Sequence, residues 1–248
     1  MRRCNPAPLG LIAAFLLGWE AACRYLGVPD FILPPPSAIF RVAVDKAPLL
    51  LAHAGATFLE ILLGILLSVL VAVPTAVAMF FHRTVERSLT PLLVASQAVP
   101  VFAVAPLLVV WFGYGIASKV LMAAVIIFFP ITVSLLDGFK NCDREYRILF
   151  RLMGAGFWQT LRMLHWPFAL PGFFTGLKVG VSVATIGAVI GEWVGAQQGL
   201  GYLMIQANAR LQVDLVFAAI LYLSAMGLGL RLIVDVIERR VIRWKEPT

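Results

Sequence analysis

Charge is scarce in this chain. Asp, Glu, Lys and Arg make up 13% of its 248 residues, against roughly 25% in a water-soluble globular protein, and 61% of the residues are hydrophobic. That much apolar surface cannot be hidden in one soluble core, and a mean hydropathy of +0.92 points to a bilayer as the solvent. Cysteine is scarce too: Cys4, Cys23 and Cys142 are too few and too scattered for a disulfide framework. The three histidines, His53, His82 and His165, fall in three different connections and suggest no shared metal site. There is no Gly-x-x-x-x-Gly-Lys-Ser/Thr phosphate loop, no His-Glu-x-x-His motif and no Gly-x-Ser-x-Gly elbow, so the chain does not read as an enzyme. Any uphill transport would draw on an ion gradient or on a partner.

What is present is a set of apolar runs at about 8–28, 57–81, 88–112, 117–138, 172–195 and 215–237. Each is near the ~20 residues that cross a ~30 Å hydrocarbon layer. The expectation is an all-α, multi-pass membrane protein of six transmembrane helices, forming one domain over 1–248. The start, "MRRCNPAPLGLIAAFLLGWEAAC", resembles a signal peptide. A cut before Cys23 would put Glu20 where an apolar residue is wanted, so the segment is kept as the first span.

Basic residues sit at run ends rather than along one face, which encodes orientation and not nucleic-acid binding. Arg2 and Arg3 precede the first run. His82, Arg83 and Arg87 with Glu86 join the second and third. Lys140, Arg144, Arg147, Arg151 and Arg162 outnumber Asp143 and Glu145, and Arg239, Arg240, Arg243 and Lys245 outnumber Glu238 and Glu246. The alternate connections are near neutral, with Lys119 standing alone. Both termini are therefore expected in the cytoplasm.

Several segments depart from plain spans. In "FILPPPSAIF" three prolines stop any helix and Ser37 is placed to cap the next. Residues 38–54 then read as an amphipathic helix on the outer membrane surface or as a solvated loop helix. Pro100 and Pro106 interrupt the third run and kink it, which lipid tolerates only against protein or a cavity. Gln97 beside them either lines a pore or bonds a packed helix. Gly172, Gly176, Gly180, Ala184, Gly187, Gly191 and Gly195 follow one stripe of the fifth run, a close-packing surface for a crossing within the chain or for a subunit interface. Glu60 reads as an interfacial carboxylate. Glu192, near the outer end of the fifth run, is read as a solute contact or as a structural partner of backbone or Arg210. Gln97, Glu192 and Asn208, in "GYLMIQANAR", are the candidate residues of a translocation pathway.

The stretch "LMGAGFWQTLRMLHWPFALPG" holds more than a connecting loop needs. It resembles the cytoplasmic signature of the membrane-spanning subunits of binding-protein-dependent ABC importers: Glu-Ala-Ala, three residues, Gly, nine residues, Ile, one residue, Leu-Pro. Gly154 takes the Gly place, Leu164 the Ile place, Trp166 the Leu place, and Pro167 follows. Ile148-Leu149-Phe150 stands where Glu-Ala-Ala would be, with Glu145 one turn earlier.

The resemblance implies a type I importer permease fold with a coupling helix over 152–167 that docks on an ATPase subunit. Gly154 would turn the corner, Phe157, Trp158 and Leu161 would form the apolar face, and Pro167 would end the helix. It also implies a homodimer in the bacterial plasma membrane, two ABC ATPase subunits carrying ATP and Mg, an external solute-binding protein, and no cofactor on this chain. "ASQAVPVFAVAPLLVVWFGYG" and "GEWVGAQQGLGYLMIQANARLQVD" look most like permeases for hydroxymethylpyrimidine, a thiamine precursor, within the nitrate, alkanesulfonate and taurine branch. Import of an alkanesulfonate, taurine or nitrate is the alternative solute reading, and a self-contained ion-coupled carrier the alternative class.

Overall fold

Prolines and glycines, more than the apolar runs themselves, decide where the helices break and where they touch. The computed structural model describes residues 7–244. They form α1 (Ala7–Tyr25), α2 (Pro36–Asp45), α3 (Ala47–Phe81), α4 (Arg83–Ala98), α5 (Val101–Phe112), α6 (Ile116–Lys140), α7 (Arg144–Leu152), α8 (Phe157–Thr160), a π-turn (Leu161–His165), α9 (Trp166–Gly195), α10 (Leu200–Ala209) and α11 (Val213–Val241). No strand occurs among the described residues.

Four helical segments among these residues are long and apolar enough to cross a membrane: α3, α6, Phe157–Gly195 and α11. The bent pair α4–α5 makes a fifth if it is one crossing. The first expected span falls on α1, which packs on α2 and sets Trp19 edge-on to Phe217 of α11 at 5.6 Å.

Three details correct the sequence reading. The run at 88–112 is not one kinked helix: α4 and α5 meet at 101°. Val99, preceding Pro100, is pushed to extended backbone (φ −77°, ψ 122°), as a residue before proline must be, while Pro106 stays inside α5. The amphipathic segment 38–54 is split, because α2 ends at Asp45 and residues from Ala47 onward are the first turns of α3. Nor does Ser37 cap α2. It lies within the first turn, and its N–H and hydroxyl donate to Glu20 of α1 at 3.0 and 2.7 Å, so the capping carboxylate comes from another helix.

The core forms around α3, α6 and α9, with α6 against α9 the most extensive contact. The small-residue stripe of α9 faces α6. A Cβ built on Gly172 would stand 2.4 Å from the Ser134 carbonyl oxygen, one on Gly176 2.5 Å from that of Pro130, and one on Gly180 2.8 Å from Ile127. Gly187 and Gly191 meet Ala123 and Lys119 in the same way. The stripe is thus a crossing within the chain. Ile61, Ala123, Ile127, Ile131, Val181 and Ala184 fill the centre of this crossing. α11 closes over α9, and α10 folds back between α11, α9 and α3.

Candidate functional site

The two ends of α9 carry most of the usable chemistry. Before its start, α7 ends in a glycine cap: Gly154 has φ +71°, its N–H donates to the Arg151 carbonyl at 3.0 Å, and the Ala155 N–H reaches the Phe150 carbonyl at 3.0 Å. This is a Schellman cap, whose left-handed residue is unstrained only without a Cβ. The Gly156 N–H then donates to Gln159 Oε1 at 3.0 Å and α8 begins.

The following turn widens, with the Trp166 N–H donating to the Leu161 carbonyl five residues back. Pro167 explains this. It has no N–H to offer Met163 and its ring crowds that carbonyl, which a π-turn relieves. Pro167 therefore lies in the first turn of α9 and does not end a separate coupling helix.

Around the corner Leu152, Met153, Trp158 and Met163 are exposed, Trp158 at 76%. Phe157 is exposed on one side and packs at 4.6 Å on Phe81 with the other. Leu164 is buried, Leu161 half-buried, and Trp166 lies 6.0 Å from Phe139. The face expected from Phe157, Trp158 and Leu161 is thus divided, Trp158 pointing out and Leu161 in. Arg144, Arg151 and Arg162, on the same stretch of chain, are also exposed. Cys142, in the turn before α7, is buried, and burial pushes its thiol up, which makes it a poor nucleophile.

At the far end of α9, four side-chain bonds hold the N-terminus of α10. The N–H groups of Gly199, Leu200, Gly201 and Tyr202 donate in turn to His53 Nδ1 at 3.1 Å, Thr57 Oγ1 at 2.8 Å, and Glu192 Oε2 at 2.5 and 3.3 Å. Thr57 in turn donates to Glu192 Oε1 at 2.6 Å. Four N–H groups are what a helix start leaves orphaned, and a carboxylate there also meets the positive end of the helix dipole. Gly199 must be glycine: φ is +120°, and a Cβ would stand 2.2 Å from the Glu192 carboxyl carbon.

Behind this cap Glu60 and Lys119 form a buried pair at 3.8 Å. Glu60 is therefore buried within the protein and paired, and Lys119, in the first turn of α6, is not alone. His53, Thr57 and Glu60 are spaced by four and three residues on one face of α3, a periodicity hidden by assigning residues before 55 to a separate helix.

A third feature is an open cleft of about 630 Å³ between α5, α9 and α11. Phe102 and Trp193 stand at one end with ring centroids 6.1 Å apart. Ser182, Thr185 and Ser224 lie along the walls, and Arg231 toward the α8 end. Among the described residues no group of three or more His, Cys, Asp or Glu side chains is arranged to hold a metal ion.

This all-helical bundle, with a glycine corner before a long α9, matches known proteins. The family described as "Binding-protein-dependent transport system inner membrane component" matches residues 64–243. The chain belongs to that family. This permease is 45% identical over 235 residues to a probable ABC transporter permease protein of Haemophilus influenzae, covering 95% of this chain and 96% of the other. It is 40% identical over 229 residues to the formylaminopyrimidine transport permease protein ThiX of Halalkalibacterium halodurans, covering 92% and 91%. Among solved structures, an inward-facing form of the MetNI methionine ABC transporter shares its fold, with a TM-score of 0.66 at 17% identity, over 80% of this chain and 97% of that one. The chain is a multi-pass membrane component of a transporter and not an enzyme.

The permease does not bring Gln97, Glu192 and Asn208 together. Gln97 is exposed in the last turn of α4 and donates only to Ser96, at 3.4 Å. Asn208 is exposed near the end of α10. Glu192 is 1% exposed and engaged by the α10 backbone, the structural alternative named for it, while Arg210 forms no ion pair among the described residues. Sequence reading missed Lys178, which lies inside the fifth run and holds Asp235 at 3.4 Å and Glu238 at 2.8 Å on α11.

Proposed function

We propose that this permease forms the translocation pathway of an ABC importer for hydroxymethylpyrimidine or a related thiamine precursor. Two copies would pair in the bacterial plasma membrane with both termini in the cytoplasm and α1 as the sixth span. Two ATPase subunits would work below, carrying ATP and Mg, and a solute-binding protein would deliver from outside. The observation that carries the solute reading is the 40% identity to a permease named for formylaminopyrimidine transport. The taurine and alkanesulfonate readings have weaker support, 31% identity to the taurine transport permease TauC of Escherichia coli and 28% to the aliphatic sulfonates permease SsuC of Bacillus subtilis, and the nitrate reading rests on motif likeness alone.

The coupling surface in this reading is the corner from Gly154 to Pro167. Trp158, with Phe157 beside it, offers an apolar side chain to an ATPase groove. Leu161, Leu164 and Trp166 anchor the corner to α3 and α6, so that a push on Trp158 reaches α9 through an unbroken helix. Gln97 and Asn208, both exposed and outside the α5–α9–α11 cleft, are candidate contacts elsewhere on the route, and Glu192 shapes the path by fixing α10.

Co-expression and co-purification with the source organism's ABC ATPase subunits, followed by ligand identification on the solute-binding protein that associates with the complex, tests the proposal. Bound hydroxymethylpyrimidine or formylaminopyrimidine, with ATP-driven uptake in vesicles, is the expected result. Uptake driven by an ion gradient without ATP would replace it with a carrier.

A further inference from the structure

The cleft between α5, α9 and α11 is mostly apolar but holds three hydroxyl side chains and one arginine. On α11, Ser224, Gly227, Leu228 and Arg231 follow one helical stripe, and on α9 Ser182, Thr185, Ile186, Val189 and Trp193 follow another. Ser182, Ser224 and Arg231 are all exposed along it. Arg231 stands ten residues before Val241, about 15 Å along the helix axis, inside the stretch that reads as a span. It has no carboxylate within 4.0 Å among the described residues. The nearest candidates on its own helix, Asp235 and Glu238, are both held by Lys178.

An arginine at the centre of a span costs about 2.5–3.5 kcal/mol on insertion scales, and one nearer a helix end, as here, turns its head to water, protein or a ligand rather than to lipid. At the other end of the cleft Phe102 and Trp193 are exposed and tilted by 33° to one another, open to a flat ring. Ser182 spends its hydroxyl proton on the Lys178 carbonyl at 2.8 Å and so presents acceptor lone pairs.

We infer that solute crosses along this cleft, and that the cleft takes a planar heteroaromatic ring bearing hydrogen-bond acceptors. Phe102 and Trp193 receive the ring, and the serines and Arg231 pair with its polar edge. This deepens the importer reading and rests on it. Arg231 supplies five donors with no fixed carboxylate to occupy them. A ring nitrogen or hydroxyl accepts from it, while the aromatic pair gives an aliphatic solute little to bind.

The test uses the whole transporter in vesicles, with Cys4, Cys23 and Cys142 replaced by Ser. Single Ser182→Cys and Ser224→Cys variants are treated with a hydrophilic methanethiosulfonate reagent, beside Leu66→Cys and Leu70→Cys controls on the exposed apolar face of α3. Reaction at both serine positions and not at the controls is expected, and it should be slowed by hydroxymethylpyrimidine but not by taurine. Unreactive cysteines in a transporter that still imports would overturn the path and leave the importer reading intact. Slowing by taurine alone, or by neither compound, would overturn the solute class. In Arg231→Gln, hydroxymethylpyrimidine uptake should fall about tenfold or more, the loss of one charged hydrogen bond, and Arg231→Lys should restore part of it. Full uptake in Arg231→Gln would overturn the arginine's role. Failure of the importer reading would show separately, as no ATPase co-purifying with the unaltered chain.

Discussion

The Thr57 hydroxyl donates to Glu192 at 2.6 Å across 135 positions of chain, and the same oxygen accepts the Leu200 N–H at 2.8 Å. One threonine on α3 thereby ties α9 to the start of α10. It works as both donor and acceptor, a role neither valine nor alanine can fill.

Thr57→Val keeps the shape but orphans the Leu200 N–H and removes a donor from Glu192. Leaving a buried group unsatisfied costs about 1–3 kcal/mol. A lower melting temperature in detergent and lower membrane abundance are expected. Glu192→Ala should lower both further, since it releases two N–H groups and Thr57 together, while Glu192→Gln, which keeps an accepting oxygen, should fall between. Unchanged melting in Glu192→Ala would show that the cap does not hold α10.

The α6–α9 crossing predicts a sharp positional contrast. Gly176→Leu forces a Cβ to 2.5 Å from a backbone carbonyl oxygen, which no rotamer change relieves, and overpacking costs about 1–3 kcal/mol or more. Folded protein recovered from the membrane should drop steeply. Gly18→Ala, with nothing within 4 Å of the new Cβ, should be recovered at the unaltered level.

Lys178 neutralises two carboxylates of α11. Lys178→Ala should lower the melting temperature by leaving Asp235 and Glu238 to repel one another. The exchange Lys178→Glu with Glu238→Lys should recover part of that loss, and equal melting of the single and exchanged variants would mean the ion pair does not set the α9–α11 contact.

The Gly154 corner predicts a defect of coupling rather than of insertion. Gly154→Arg must hold a left-handed backbone at a cost of roughly 1–2 kcal/mol, and it places a further charge beside an exposed apolar patch. Normal membrane levels, loss of co-purifying ATPase and loss of ATP-driven uptake are expected. Trp158→Asp should give the same pattern without altering the backbone. Wild-type ATPase association in both variants would remove the coupling role from this corner.

Composition and pattern were enough for the class of molecule. Few charges, long apolar runs and basic residues at alternate run ends have one physical solution, helices in lipid, because lipid leaves backbone groups no other partner. The span limits of α6 and α11 and the glycine before α9 were legible for the same local reason. What the sequence left open depended on who faces whom. The α9 stripe could have met a second subunit, and only the fold set it against Ser134, Pro130, Ile127, Ala123 and Lys119. Pro167 looked like a terminator because its missing N–H is a local fact, yet the chain widens into a π-turn ahead of it and runs on as α9, and a proline's sequence neighbours do not say which of the two outcomes is taken. Glu60 and Lys119 looked unrelated, and Glu192 looked available to a solute. Their pairing and capping roles arise from long-range burial, where a charge must find a partner that no sequence spacing records.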